Sequence, residues 1–245
     1  MDNELVYSLA QKIGVIDLIK EFESKRKLYI SMGKKATLPQ TQLKISCDVA
    51  ARLGDFDVVD YLLDNSGVGI IGTYLCSHLT FDYTCGHGDI EKVIQLWNKL
   101  KAMEVRCVYG LNFAARGGHY SVVSFLLDNK CGSTSDAMDF AASGGYLHVV
   151  QLLHAYGCQA TTWAMDCAAV NGHYDMLVWL HLNRNEGCTA YGIEKTVHVF
   201  LFNYRPVYEK VLKFMFRHYM GLVPISVHLL AKDTRNGKLT KLINK

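Results

Sequence analysis

The sequence predicts an all-α fold, a solenoid of stacked helix-turn-helix units, from three observations. One pattern recurs in register: the stretch from Ala137-Met138-Asp139 through Ala141-Ala142 to Gly145 returns 27 residues later as Ala164-Met165-Asp166 through Ala168-Ala169 to Gly172. Self-similarity at a fixed period of this size marks a stacked repeat protein. Within each copy the seventh, fourth and third residues before the glycine are apolar or small, which is the i, i+3, i+4, i+7 spacing of one helical face. After each glycine comes an apolar residue two places on and a leucine eight places on, so a second helix folds back on the first as an αα-hairpin.

In chain order, Tyr7, Ala10 and Gly14 lead into Ile16, Leu18, Ile19 and Phe22, a divergent first copy. Residues 23–44 are the largest insertion, with Lys25-Arg26-Lys27, Lys34-Lys35 and Pro39. Five clear copies follow, with first helices ending at Gly54, Gly88, Gly118, Gly145 and Gly172 and with Leu62, Leu96, Leu126, Leu153 and Leu180 on the second helices. The copy at Gly88 is imperfect, because Lys92 and Gln95 stand where the others are apolar. Residues 183–198 read as another insertion with a turn at Glu186-Gly187-Cys188. Phe200 and Asn203 then precede Val207 in the glycine position, and a last partial copy runs from about Leu230 through Gly237 to Leu242. The chain reads as one repeat domain over residues 1–245: a divergent repeat and basic insertion at 1–44, core repeats at 45–182, and degenerate repeats with a cap at 183–245. Terminal copies depart from the pattern because one side faces water instead of a neighbour.

With 245 residues, half of them apolar, the chain can bury a large core, and its composition excludes the disordered class. Met1-Asp2-Asn3-Glu4 places acids where a signal peptide carries bases, and no apolar stretch reaches the ~18 residues of a spanning helix. The expected location is intracellular, in the cytoplasm, with the nucleus as the alternative. Eight cysteines in such a chain are expected as reduced thiols. The net charge of +3 hides an asymmetry. Residues 1–44 carry eight Lys/Arg against five Asp/Glu, residues 45–200 nine against sixteen, and residues 201–245 nine against two. Basic ends flank an acidic middle.

Catalytic and metal chemistry find little footing. There is no Cys-x-x-Cys and no His-x-x-x-His, and Cys131 with Cys158 and His154 with His181 each sit 27 residues apart. They are echoes of the repeat before they are ligands, whereas a zinc site needs converging donors. Cys47 and Cys85 fall on the inward helical face, where a small thiol belongs to the core. Gly67, Gly69 and Gly72 cluster without the Lys-Ser/Thr that completes a phosphate loop. No enzyme activity and no metal or cofactor is therefore expected. Lys232, Arg235, Lys238, Lys241 and Lys245 recur every three or four residues, a stripe suited to nucleic acid or an anionic surface. That is the alternative function, and the acidic middle argues against a long phosphate backbone as partner.

The segment Ala114-Ala115-Arg116-Gly117-Gly118-His119-Tyr120, continued by Val122-Val123 and Leu126-Leu127, resembles the middle of the ankyrin repeat. The Thr-Pro-Leu-His that opens the first helix in that family is replaced by Tyr109-Gly110-Leu111-Asn112, Asp136-Ala137-Met138-Asp139 and Trp163-Ala164-Met165-Asp166. Only the apolar third position survives, so the resemblance does not carry over the hydrogen bonding of that tetrapeptide. Ankyrin repeats run to about 33 residues, so copies of 27 residues imply hairpin fingers that are short or absent. The resemblance implies a non-catalytic protein-interaction scaffold or adaptor, monomeric, that binds another protein on its repeat surface. In the family, contacts come from positions after the Ala pair and from the loop leading into the first helix. Here these are Arg52, Leu53, Gly86, His87, Arg116, Ser143, Val170 and Asn171, with Tyr109, Asp136 and Trp163 where first helices begin. Trp163 is either a partner anchor or a packing residue between repeats, and the sequence leaves both open.

Overall fold

The computed structural model describes residues 47–57, 59–60, 78–101, 107, 109–132, 134–233 and 237–243. Among the described residues every regular element is a helix. The predicted copy around Gly14, the basic insertion 23–44 and the glycines at 67, 69 and 72 lie outside them. The chain divides into two compact units, one of residues 1–84 and 94–106, the other of residues 85–93 and 107–245.

In the first unit, α1 (Cys47–Leu53) buries the small pair Ala50 and Ala51. Helix α2 (His78–His87) begins in this unit, and α3 (Ile90–Lys101) ends in it. The Thr80 hydroxyl donates to Asp48 at 2.5 Å. The buried Phe81 ring lies 5.3 Å from Trp97, and Lys99 pairs with Asp60 at 3.1 Å.

The second unit is a run of helical hairpins: α4 (Gly110–Gly117) with α5 (Tyr120–Asp128), α6 (Ser135–Ser143) with α7 (Leu147–Ala155), and α8 (Thr162–Val170) with α9 (Tyr174–Asn183). They continue as α10 (Ala190–Phe202) with α11 (Pro206–Tyr219), and α12 (Ile225–Asp233) with α13 (Gly237–Ile243). A single 3-10 turn at Met220–Leu222 precedes α12. First helices pack in sequence, α4 on α6, α6 on α8, α8 on α10 and α10 on α12; among second helices, α5 packs on α7, α9 on α11 and α11 on α13. The close approach is made by Ala114-Ala115, Ala141-Ala142 and Ala168-Ala169, all fully buried. Above them Leu111, Met138, Met165 and Ile193 fill the core, each burial stabilising by about 1.5–3 kcal/mol.

The first helices α1, α4, α6 and α8 end in the same hydrogen-bonded turn. Gly145 takes a φ of 75°, its N–H donates to Ala142, and the Tyr146 N–H reaches back to Ala141 at 3.0 Å. This closes two carbonyls that the helix would leave open. The ring of the following hairpin lies over that glycine: a Cβ on Gly145 would stand 2.6 Å from Nδ1 of His173. The same relation holds for His119 over Gly88 and Tyr146 over Gly118. His119 and His173 also hydrogen-bond through Nε2 to the carbonyls of Gly86 and Ser143, at 2.9 and 3.1 Å.

A second tie joins successive first helices. The fourth residue of each opening tetrapeptide is buried and polar: Asn112, Asp139 and Asp166. Asn112 accepts from the Thr134 hydroxyl at 2.9 Å. Asp139 accepts from the Thr161 N–H and hydroxyl at 2.9 and 2.6 Å, and Asp166 from those of Thr189 at 2.8 and 2.5 Å. Thr161 and Thr189 are also N-caps, accepting from the N–H groups of Trp163 and Gly192 at 3.0 and 3.2 Å. Each hydroxyl thus satisfies a helix N-terminus on one side and a buried carboxylate of the preceding hairpin on the other. The hydrogen bonding lost with the Thr-Pro-Leu-His opening is here replaced by another set. Burial raises the Asp139 and Asp166 carboxyls above the ordinary carboxylate range, and the Thr bonds offset part of that rise.

The connections 129–134, 156–161 and 184–189 are six residues each, and no strand occurs in them or elsewhere among the described residues. The expected insertion at 183–198 is mostly helix instead. Thr189 caps α10, which begins at Ala190 and buries Ile193, Thr196 and Val197. At 13 residues α10 exceeds the nine-residue α8 by four, about one turn, so Phe200 repeats the same face and mimics a later start. The last hairpin likewise begins at Ile225, not near Leu230, with Val227 and Ala231 buried.

Replacing Asp166 by Ala should lower the unfolding free energy in urea by about 1.5–3 kcal/mol, because two donors lose a charged acceptor. Asp166→Asn should cost less, since Asn112 fills the matching position. The raised carboxyls also set a sign with pH. The folded chain holds these protons more tightly than the unfolded chain, so their contribution is most favourable in acid and declines as pH rises through the raised values. Relative to an Asp139→Asn/Asp166→Asn variant, the wild type should lose stability as pH rises from about 4 toward neutrality.

Candidate functional site

The outward side of the first helices in the second unit forms one patterned face. Three positions per helix recur on it: the residue two before the buried Leu111, Met138, Met165, Ile193 or Val227, and the residues two and five after. The first row holds Tyr109, Asp136, Trp163, Tyr191 and Ile225, all exposed. The second holds Phe113, Phe140, Cys167, Lys195 and Leu229, and the third Arg116, Ser143, Val170, His198 and Lys232. A contact between neighbours places the rows side by side: the Arg116 guanidinium lies 5.7 Å from the centre of the Phe140 ring. Lys195 lies 5.2 Å from the Tyr191 ring centre.

Trp163 is 52 % exposed, while Met165 beside it is buried. The indole therefore does not serve mainly to pack one hairpin on the next. Of the residues expected to bind a partner, Tyr109, Arg116, Asp136, Ser143, Trp163 and Val170 come together on this face. Asn171 is exposed at the end of α8, where its amide donates to the Ser143 carbonyl at 2.8 Å, so it ties hairpins together as well. His87 is exposed at the end of α2, and Gly86 is taken up by His119. Arg52 and Leu53 are exposed on α1, in the other unit. Tyr191, Ile225, Leu229 and the 87 % exposed Phe202 escaped the sequence reading. They sit in copies whose register shifts with the longer α10, and the Thr189 cap was the signal that fixes it.

His154 and His181 lie on second helices and are engaged by their neighbours. Arg184 pairs with Glu186 and donates to Nδ1 of His154 at 3.2 Å, and His154 meets the Trp179 ring edge-on. His181 accepts or donates through Nδ1 with the Tyr219 hydroxyl at 2.8 Å, its ring 4.5 Å from that of His218. Cys131, Cys158 and Cys188 are buried in the connections. Burial, with Asp166 nearby, pushes the Cys188 thiol up to about 12, and burial also raises Cys167. Both shifts disfavour the thiolate, the form a nucleophile requires. Among the described residues no three His, Cys, Asp or Glu converge as metal ligands, and no helix is long and apolar enough to cross a membrane. Of the basic stripe expected near the C-terminus, Lys232 lies on α12 and Lys238 and Lys241 on α13, while Arg235 and Lys245 lie outside the described residues.

No protein-family model matches the chain, and no curated protein matches it significantly.

Trp163→Ala should shift the unfolding free energy by less than about 0.5 kcal/mol, as for other exposed positions. Met165→Ala, two residues away in the core, should cost about 2–5 kcal/mol. Urea titrations of the two variants followed by far-ultraviolet circular dichroism make the comparison.

Proposed function

We propose that the chain is an ankyrin-like repeat array that acts as a non-catalytic scaffold or adaptor, binding another protein on the first-helix face of the second unit. The observation that carries this reading is the set Tyr109, Trp163 and Tyr191, large aromatic side chains exposed at the starts of α4, α8 and α10. Such residues supply contact area at little conformational cost and dominate interface energetics when a partner covers them. Helices about 8–10 Å apart place five outward stripes over roughly 40 Å, enough for a specific interface of about 800 Å² per partner. The interior supports the same reading, because the Asp–Thr and ring-over-glycine ties keep that face in register without using its outward side chains.

The test is affinity capture from lysate with the wild-type chain and with Trp163→Ala/Arg116→Ala. The double variant should keep its helical circular dichroism and lose the partner band. An identical capture profile for both proteins would remove this face from the account.

A further inference from the structure

We propose that the contact between α9 and α11 is an acid-sensitive joint, at which protonation of the His181–His218 pair opens the second-helix side of the junction while the first-helix side stays tied. The joint does not depend on which partner the array takes. His181 on α9 and His218 on α11 bring their ring centres to 4.5 Å, with planes 51° apart. Phe214, one turn before His218, meets both rings, at 4.5 Å from His218 and, edge-on, at 5.2 Å from His181. The Tyr219 hydroxyl hydrogen-bonds Nδ1 of His181 at 2.8 Å, which fixes that ring against α11. His181 is half-buried and His218 exposed, so both rings exchange protons with solvent.

Neutral imidazoles pack here without repulsion. A first proton is tolerated on His181, because the cation donates from both nitrogens and the Tyr219 hydroxyl accepts. A second proton places like charges across the joint. Among the described residues no carboxylate bonds either ring. Glu209 sits nine residues before His218, on the opposite side of α11, and is held by Lys213 and Tyr204. Glu186, in the connection after α9, is paired with Arg184, and Asp175 lies six residues before His181, about 120° round α9. On α10, Glu194 and His198 line the side toward α12, and Lys195 lies over Tyr191. The other charges are cations: Lys210 and Arg217 on α11 itself, and Lys241 on α13, which packs on it. Burial pushes the Cys188 thiol near Tyr219 away from its charged form.

Partial desolvation, then the charges of His181 and Arg217, holds His218 below the ordinary histidine value. The unfolded chain therefore binds this proton more tightly, so the contribution of His218 is complete above the ordinary value and is lost as pH falls below it. The first-helix side of the same junction runs the other way. Asp166, tied to Thr189 at the start of α10, has a raised carboxyl and contributes most in acid. Acid thus loosens α11 from α9 and leaves α10 tied to α8, a hinge between the third and fourth hairpins of the second unit.

The test is hydrogen exchange of the full chain at about pH 7.5 and about pH 5, on either side of the histidine range and corrected for intrinsic rates. In the wild type, the α11 amides should lose protection in acid by about threefold to tenfold relative to α4, while the first amides of α10 keep theirs. His218→Gln, at an exposed position, should remove the acid effect. Ring-proton magnetic resonance should show His218 titrating below the ordinary value and rising toward it in His181→Asn. Equal α11 protection at both pH values, or an acid loss unchanged in His218→Gln, would overturn the joint. So would a His218 titration unmoved in His181→Asn, or an acid loss that spreads evenly over all helices or includes the start of α10.

Discussion

The register of the helices from α6 to α10 depends on buried carboxylates that are not satisfied inside their own hairpins. Asp139 and Asp166 lie within the first helices, away from water, and the donors that reach them belong to the start of the next hairpin, Thr161 and Thr189. A buried acceptor without a partner is costly, and a buried ion more so. The arrangement that supplies these donors is the stacked one, and it admits one register, because the Thr must cap its own helix and meet the carboxylate at once.

From that register the rest follows. The Ala pairs bring first helices close enough for the core residues Met138 and Met165 to be enclosed. The αL glycines leave room for the ring of the following hairpin, a fit that any Cβ would destroy. These ties use the inward and edge positions of each helix. The outward positions Tyr109, Asp136, Trp163, Tyr191 and Ile225 are left to face solvent, on helices of about nine residues that would be marginal without this packing.

The helical hairpins were legible in the sequence because their two signals, helical apolar spacing and the glycine turn, are local. Met138, Ala141, Ala142 and Gly145 announce a hairpin without reference to anything distant. The Asp–Thr tie was less visible, since its partners lie 22 and 23 residues apart and belong to different hairpins. It left a trace in the recurrence of Thr161 and Thr189 just before the helices. The length of α10 was hidden by its own periodicity: an extra turn returns the same face, so Phe200 and Asn203 imitated an opening that lies at Thr189. Part of the outward face was legible for the same local reason, in Tyr109, Arg116 and Trp163. Ile225 and Leu229 were not, because apolar residues in a degenerate copy read as core until a neighbour fails to cover them.

The most direct measurement of the central claim is a double-mutant cycle between Asp166 and Thr189, with Asp166→Ala and Thr189→Val alone and combined, each unfolded in urea. If the carboxylate is held by the next hairpin, the two losses should be far from additive, with a coupling of about 1–2 kcal/mol. Additive losses would contradict it, leaving the hairpins to be held by packing alone.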